Sequence, residues 1–114
     1  MPPKNLKNRD LDYEVFERQA MICKAFANPI RLRLLDILAA GEHGVSDLQK
    51  ELGISKANLS QHLAVLKSAG VVVMERRGKL GFCSLAMPEV KQACAMIRDV
   101  LRGHVREARR LRVP

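Results

Sequence analysis

The amino-acid sequence predicts a mainly α-helical domain that carries one small β-hairpin. Apolar residues recur at helical spacing along most of the chain, whereas residues 71–74 form a valine-rich run that is too short for a helix. Hydrophobic residues make up 47% of the chain and aromatic residues only 4%, so aliphatic side chains must build the core. A length of 114 residues leaves room for a single core.

The chain is expected to begin with an arm and two helices. Residues 1–10 are polar and lack periodicity, which predicts a flexible N-terminal arm before a domain spanning residues 11–111. A first helix is expected from about Asp12, its N-cap, and it ends before Pro29 because proline disfavours helical geometry in the preceding residue. Pro29 suits the first turn of a second helix, whose predicted buried stripe is Ile30, Leu34, Leu35 and Leu38.

Two further helices are separated by a three-residue turn. Ser46 and Gln49 match a capping box and predict the start of a short third helix, which Gly53 ends. Ser55 is expected to cap a fourth helix whose core-facing residues are Leu59, Leu63 and Leu66. A short helix, a turn containing glycine and a longer helix are the signature of a helix-turn-helix motif.

The segment after the fourth helix predicts a hairpin and a final helix. Residues 71–74 and 81–85 are expected to pair, with a basic tip formed by Arg76, Arg77 and Lys79. From Pro88 a last helix is expected to run to about Arg110. Four helices, a basic hairpin and a fifth helix are the element order of a winged helix-turn-helix domain.

The outer face of the fourth helix is small and polar. At about 100° per residue, Ala57 and Gln61 lie opposite the leucine stripe, with Lys56 and Ser60 on a flank. Short outer side chains let a helix enter the major groove, where Ser60 and Gln61 can hydrogen-bond base edges and Lys56 can reach a guanine or a phosphate. Asn58 lies off this face and is expected to support a contact with the DNA backbone. An ordinary solvated helix face is the alternative interpretation.

The charge balance favours a polyanionic partner. The chain has 20 Lys and Arg against 12 Asp and Glu, a formal net charge of +8. Basic side chains neutralise phosphates and release counterions, which favours a polyanion. Together with the polar face of the fourth helix, this charge makes double-stranded DNA the expected partner. Basic residues that only keep the chain soluble are the alternative.

Two stretches of the chain resemble the ArsR/SmtB-type winged-helix repressors. They are ANPIRLRLL at residues 27–35 and ISKANLSQHL at residues 54–63, which runs into LKSAGVV at residues 66–72. The resemblance extends from about residue 11 to residue 111. It implies a transcriptional repressor in which the wing contacts the minor groove or phosphates, and bases are faced by Lys56, Ala57, Ser60 and Gln61.

The same resemblance implies a homodimer formed by the first and last helices. A compact winged helix closes its core with the other elements, which leaves the apolar stripes of these two helices in need of cover. We therefore expect the dimer to bury Phe16, Ile22, Val90, Ile97 and Leu101. His62 lies beside the leucine stripe, where a structural histidine is favoured over a base contact, so it is only a weak candidate for DNA binding.

The metal sites of the resembled family are not reproduced. The third helix contains no cysteine, and the zinc-type pattern on the last helix survives only as His104 and Glu107. Two ligands do not make a tetrahedral site, so neither a metal nor another cofactor is expected.

The chain contains three cysteines. Relatives that sense sulfur or peroxide place cysteines late in the second and last helices, where this chain has Asp36 and Arg102 or Gly103. Cys23 and Cys94 lie instead on the two helices implied in dimerisation and are a candidate thiol sensor; two packing residues are the alternative. Cys83 is expected to pack within the wing.

Several other classes of protein are disfavoured. There is no apolar run of membrane-spanning length and no apolar segment at the start of the chain, so we expect a cytoplasmic protein that does not bind membranes. No nucleophile is grouped with a base, so we do not expect an enzyme. The alternative function is a winged-helix protein-interaction module, which would favour apolar or acidic residues on the outer face of the fourth helix.

Overall fold

The computed structural model describes residues 11–112, so the predicted arm at residues 1–10 lies outside the described residues. The described elements are α1 (Leu11–Phe26), α2 (Pro29–Leu38), β1 (His43–Gly44), α3 (Val45–Leu52), α4 (Lys56–Ser68), β2 (Val72–Arg77), β3 (Leu80–Leu85) and α5 (Glu89–Arg112). The strands form an antiparallel sheet in the order β1-β3-β2. Five helices and a small sheet agree with the predicted fold class, except that β1 was not predicted.

The junction of α1 and α2 is set by Asn28. Its side-chain Oδ1 accepts hydrogen bonds from the backbone N–H groups of Ile30 at 2.8 Å and Arg31 at 3.2 Å. Pro29 occupies the first turn of α2, as predicted, because it has no N–H that needs a partner there. Asn28 therefore caps α2 immediately after α1 has ended.

The start of α3 differs from the prediction. Gly44 is the N-cap residue, Ser46 lies within the first turn, and no side chain caps this helix. The predicted capping box at Ser46 is therefore wrong. Its physical reason is β1, in which His43 and Gly44 pair with β3 and lead the chain from the sheet directly into α3.

The turn between α3 and α4 follows the prediction. Gly53 ends α3 with a left-handed backbone, φ 65°, which glycine adopts without a steric penalty. Ser55 caps α4 by accepting a hydrogen bond from the backbone N–H of Asn58 at 3.1 Å. The predicted three-residue turn thus fixes the angle between α3 and α4.

The core is aliphatic and lies between α2, α3, α4 and the sheet. The leucines predicted for α4 are buried, and of those predicted for α2 all are buried except Ile30, which is half-buried. A fully buried leucine or valine side chain contributes about 1.5–3 kcal/mol by leaving water. The fully buried side chains include Leu34, Leu48, Leu59, Leu66, Val71 and Cys83.

The wing is longer than predicted. Arg76 and Arg77 belong to β2, so the prediction that they form the tip is wrong; only Gly78 and Lys79 connect the strands. Gly78 has φ 63° and no other residue of the turn has a positive φ, which matches a two-residue type II′ turn. Such a turn continues the pairing outward from Val72 to Arg77.

Helices α1 and α5 are the most exposed elements. Phe16, Ile97 and Leu101 retain 63%, 61% and 52% of their accessible surface. Val90, in contrast, is already buried in the protomer's own core, so the prediction that the dimer buries it is wrong. Ile22 is half-buried against that core, and its burial by a partner stays a prediction. Within residues 11–112, no helix combines the length and apolar character needed to span a membrane.

Candidate nucleic-acid interface

The N-terminal half of α4 presents the predicted polar face to solvent. Lys56, Ala57, Ser60 and Gln61 are exposed, whereas Leu59 is fully buried beneath them. The cap at Ser55 and the leucine stripe fix the rotation of the helix, so these outer side chains all point away from the core. Ala57 and Ser60 are short enough to let the helix backbone approach another surface closely.

Asn58 and His62 have different surroundings. The Asn58 side chain is exposed, while its backbone N–H is held by the cap. His62 is half-buried, and its Nδ1 lies 3.4 Å from Nη1 of Arg31 on α2. Nε of Arg31 also donates to the Ala25 carbonyl oxygen at 2.5 Å, so Arg31 ties the end of α1 to α4. This placement supports a structural role for His62.

A basic groove runs between α4 and the wing. The groove has a volume of about 670 Å³, and its charged lining comprises Asp47 and Glu75 together with the cations Lys56, Lys67, Arg76 and Lys79. The structure thus brings predicted residues of the helix and of the wing to one surface. Lys67 was missed by the sequence analysis, since it lies outside the segment on which the base contacts were sought.

Arg77 has surroundings unlike those of the other basic wing residues. Its guanidinium donates to both carboxylate oxygens of Glu42, at 2.9 and 2.8 Å, and to Glu75 at 3.0 Å. Its central carbon lies 4.4 Å from the centre of the Phe82 ring. The hydrogen bonds that Arg77 donates to Glu75 and Glu42 raise the pKa of Arg77, so it remains cationic. No periodic pattern links Arg77 to Glu42, because 35 residues separate them.

Comparison with known proteins places this fold in a family. A model of the bacterial regulatory protein arsR family matches residues 28–73. The chain is 35% identical over 88 residues to the uncharacterized HTH-type transcriptional regulator Rv0081 of Mycobacterium tuberculosis (strain ATCC 25618 / H37Rv), covering 76% of this chain and 77% of that protein. It is 36% identical over 64 residues to the transcriptional repressor SdpR of Bacillus subtilis (strain 168), covering 56% and 71% of the two chains.

Solved structures agree with this relationship. The crystal structure of Rv0081 superposes with a TM-score of 0.72 at 33% identity, covering 82% of this chain and 95% of that chain. Fragment 1–100 of Mb0332 from Mycobacterium bovis, a possible ArsR-family transcriptional regulator, superposes with a TM-score of 0.77 at 30% identity, covering 87% and 92%. That fragment is a homodimeric winged helix-turn-helix DNA-binding domain.

The chain belongs to the ArsR family. Its fold is therefore a winged helix-turn-helix, and it is a transcriptional regulator and not an enzyme. The predicted resemblance is confirmed by both the family model and the solved relatives.

The thiols of this ArsR-family protein occupy two environments. Cys83 is buried in β3, as predicted, and burial raises its pKa to about 11. Cys23 is exposed on α1 and Cys94 is half-buried on α5. Cys23 and Cys94 line one groove of about 520 Å³ within the same protomer, which we call the thiol groove. Its lining also includes Phe26, Leu32, Ile97 and Leu101.

An ion pair lies beside the thiol groove. Nη1 of Arg98 on α5 donates to Oδ1 of Asp36 on α2 at 2.5 Å, and both residues belong to the groove lining. Burial raises the pKa of the Cys94 thiol, while Arg98 acts to lower it and Asp36 to raise it. The ion pair therefore connects α5 to the DNA-binding core next to Cys94.

The described residues contain no cluster of three side chains suited to hold a metal ion. His104 and Glu107 are both exposed on α5, and Glu107 accepts a hydrogen bond from Arg110 at 3.0 Å. His104 and Glu107 therefore lie on a solvent-exposed face of α5.

Proposed function

We propose that this ArsR-family regulator is a homodimeric repressor that binds a specific double-stranded DNA sequence. The observation that carries the proposal is a face of α4, formed by mostly short and polar side chains, that lies beside the basic groove. A major groove admits a helix of this kind, while flanking cations neutralise phosphates on either side. The relative SdpR is named a transcriptional repressor, which supports the same direction of regulation.

Each exposed residue of α4 has a proposed role. Ser60 and Gln61 hydrogen-bond base edges, and Lys56 contacts a guanine or a phosphate. Ala57 lets the helix approach the bases because its side chain is short. Asn58 supports the contact with the DNA backbone.

Residues around α4 complete the proposed interface. Arg76 and Lys79 of the wing bind phosphates or enter the minor groove. His62 stays a weak candidate, because its ring faces Arg31.

The proposed dimer interface is formed by α1 and α5. Exposed apolar side chains on these helices would cost free energy if they stayed in water, and a second copy of the chain can cover them. They include Val15, Phe16, Ile97, Leu101 and Val105. A two-fold dimer presents two copies of α4, so the operator should contain symmetric half-sites about one helical turn apart.

We further propose that a thiol-reactive inducer releases the repressor by acting at Cys23 and Cys94. Both thiols line the thiol groove, and Cys94 adjoins the Asp36–Arg98 ion pair that joins α5 to α2. Oxidation by peroxide would join the thiols as a disulfide, with loss of two protons and two electrons and reduction of one peroxide to two waters. A disulfide requires Cα atoms within about 7 Å, so it would constrain the packing of α1 against α5.

The test of DNA binding is a mobility shift with a duplex from the promoter region adjoining the protein's own gene. We expect a complex that survives excess random-sequence duplex, because base contacts add to the phosphate contacts. Equal competition by random and promoter duplexes would contradict specific binding. Absence of any shift at low salt would instead favour a protein-interaction module.

A further inference from the structure

The contacts of Arg77 extend across the whole three-stranded sheet. Arg77 ends β2 at one edge, Phe82 lies in the central strand β3, and Glu42 immediately precedes β1 at the other edge. We call the set formed by Arg77, Glu42, Glu75 and Phe82 the wing strap. Because Gly44 of β1 is also the N-cap of α3, the wing strap connects the wing to the start of the helix-turn-helix motif.

The charge of the wing strap is unsuited to phosphate binding. Two carboxylates face one guanidinium, so the set carries a net negative charge. A phosphate that approached Arg77 would compete with Glu42, which already accepts a directional two-bond fork from the guanidinium. Repulsion from Glu75 would oppose the same approach.

Arg76 differs from Arg77 in both the direction of its side chain and its ionic partners. Side chains alternate along a strand, so Arg76 and Arg77 point to different faces of β2. Arg76 lines the basic groove with Lys56, and among residues 11–112 it forms no salt bridge. Its charge is therefore available to DNA, whereas that of Arg77 is used within the protein.

We propose that Arg77 is a positioning residue that holds the wing at a fixed angle to α3 and α4 and does not itself bind phosphate. This inference rests on the proposed DNA-binding function, since the wing strap acts by placing Arg76 and Lys79. The chemistry explains why arginine stands here. Its planar fork matches one carboxylate while its face stacks on an aromatic ring, which a lysine ammonium cannot reproduce.

Replacement of Glu42 distinguishes the two possible roles of Arg77, positioning of the wing and direct phosphate contact. The two roles predict opposite changes in DNA affinity. Glu42→Gln raises the net charge by one and frees Arg77, so a phosphate-binding Arg77 would make DNA binding tighter. If Arg77 positions the wing, the same substitution loosens the wing and weakens operator binding by about threefold to tenfold. Arg77→Lys keeps the charge but loses the fork, so it should weaken binding similarly.

The measurements are operator affinity and amide hydrogen exchange. Affinity is measured by fluorescence anisotropy on a duplex selected by the wild-type protein from a random library. Exchange is measured by mass spectrometry on the free protein over β2 and β3. Glu51→Gln is the charge-matched control, because Glu51 is exposed on α3 and forms no salt bridge within the described residues.

The wing-strap proposal is supported if Glu42→Gln and Arg77→Lys both speed exchange in β2 and β3 and weaken operator binding, while Glu51→Gln does neither. Unchanged exchange in the free protein, or tighter binding by Glu42→Gln, overturns it. Faster exchange with unchanged affinity also overturns the positioning role. Failure of the library to enrich any sequence would refute the proposed function itself, and the exchange data would still report whether the wing strap holds the wing.

Discussion

At the scale of single residues, one step along α4 separates the core from the proposed DNA-facing surface. Leu59 is fully buried, and the next two residues, Ser60 and Gln61, are exposed. The rotation of about 100° per residue explains this change, and Ser55 fixes its starting point by capping the helix. A side chain on this face can therefore be replaced without disturbing the leucine stripe.

Gln61→Ala should reduce operator affinity selectively. Loss of a hydrogen-bonding side chain from a base edge costs on the order of 1–3 kcal/mol, which is roughly a 5- to 150-fold loss of affinity. Affinity for random duplex should change little, because Gln61 carries no charge. Both affinities can be measured by fluorescence anisotropy. Gln92→Ala is the matched control, since Gln92 is exposed on α5; equal losses on both duplexes would remove Gln61 from base recognition.

The sequence predicts helix faces well and distant side-chain pairs poorly. The caps at Ser55 and Gly53 and the leucines of α4 depend on neighbours a few residues away, so their pattern is visible in the chain. The pair of Arg77 with Glu42 joins residues 35 apart, and that of Arg31 with His62 joins residues 31 apart. Such pairs arise only when the elements pack, and no local spacing encodes them.

At the scale of elements, the shortest strand was the one that sequence could not predict. Strand β1 consists of two residues, too few to show alternation of polar and apolar side chains. Its pairing with β3 nevertheless moves the start of α3 from Ser46 to Val45 and supplies Gly44 as the cap. The same pairing places Glu42 within reach of Arg77. The hydrogen bonds between these two side chains therefore depend on the backbone pairing of β1 with β3.

The cap of α2 gives a prediction about stability at this scale. Asn28→Ala removes the acceptor of two backbone N–H groups, and the loss of an N-cap costs about 1 kcal/mol. We expect a lower midpoint of urea unfolding with an unchanged slope. Asn58→Ala is the control, because its exposed side chain makes no hydrogen bond to residues 11–112. Equal stability of Asn28→Ala and wild type would show that solvent replaces the cap.

At the scale of the whole molecule, α5 connects the proposed dimer interface to the DNA-binding core. Its apolar side chains from Met96 onward are exposed, while Arg98 reaches Asp36 on α2. A change in the packing of α5 would therefore move α2, and with it the distance between the two copies of α4 in a dimer. The sequence revealed the apolar stripe of α5 but not this ion pair, whose partners are 62 residues apart.

Ile97→Glu should separate the protomers. Ile97 is exposed in the protomer, so a charge there leaves the core intact but must be desolvated in the proposed interface. Sedimentation should show a monomer, and operator affinity should fall by about tenfold or more because the two half-sites are no longer bound together. Gln92→Glu adds the same charge on the opposite side of α5. A dimer of undiminished affinity in Ile97→Glu would refute the assigned interface.

The proposed thiol switch requires the thiol groove, the Asp36–Arg98 ion pair and the dimer to act together. Peroxide should join Cys23 to Cys94 and weaken operator binding by about tenfold or more, a typical allosteric coupling, and dithiothreitol should restore it. Cys23→Ser and Cys94→Ser should keep their affinity under peroxide.

Mass spectrometry of the oxidised protein identifies which thiols have reacted, and Cys83 serves as the internal reference. Burial raises the pKa of Cys83 to about 11, so this thiol should stay protonated at pH 8 and remain unmodified. If wild type and both variants hold DNA equally before and after peroxide, and no crosslink forms, Cys23 and Cys94 are packing residues and the inducer acts elsewhere.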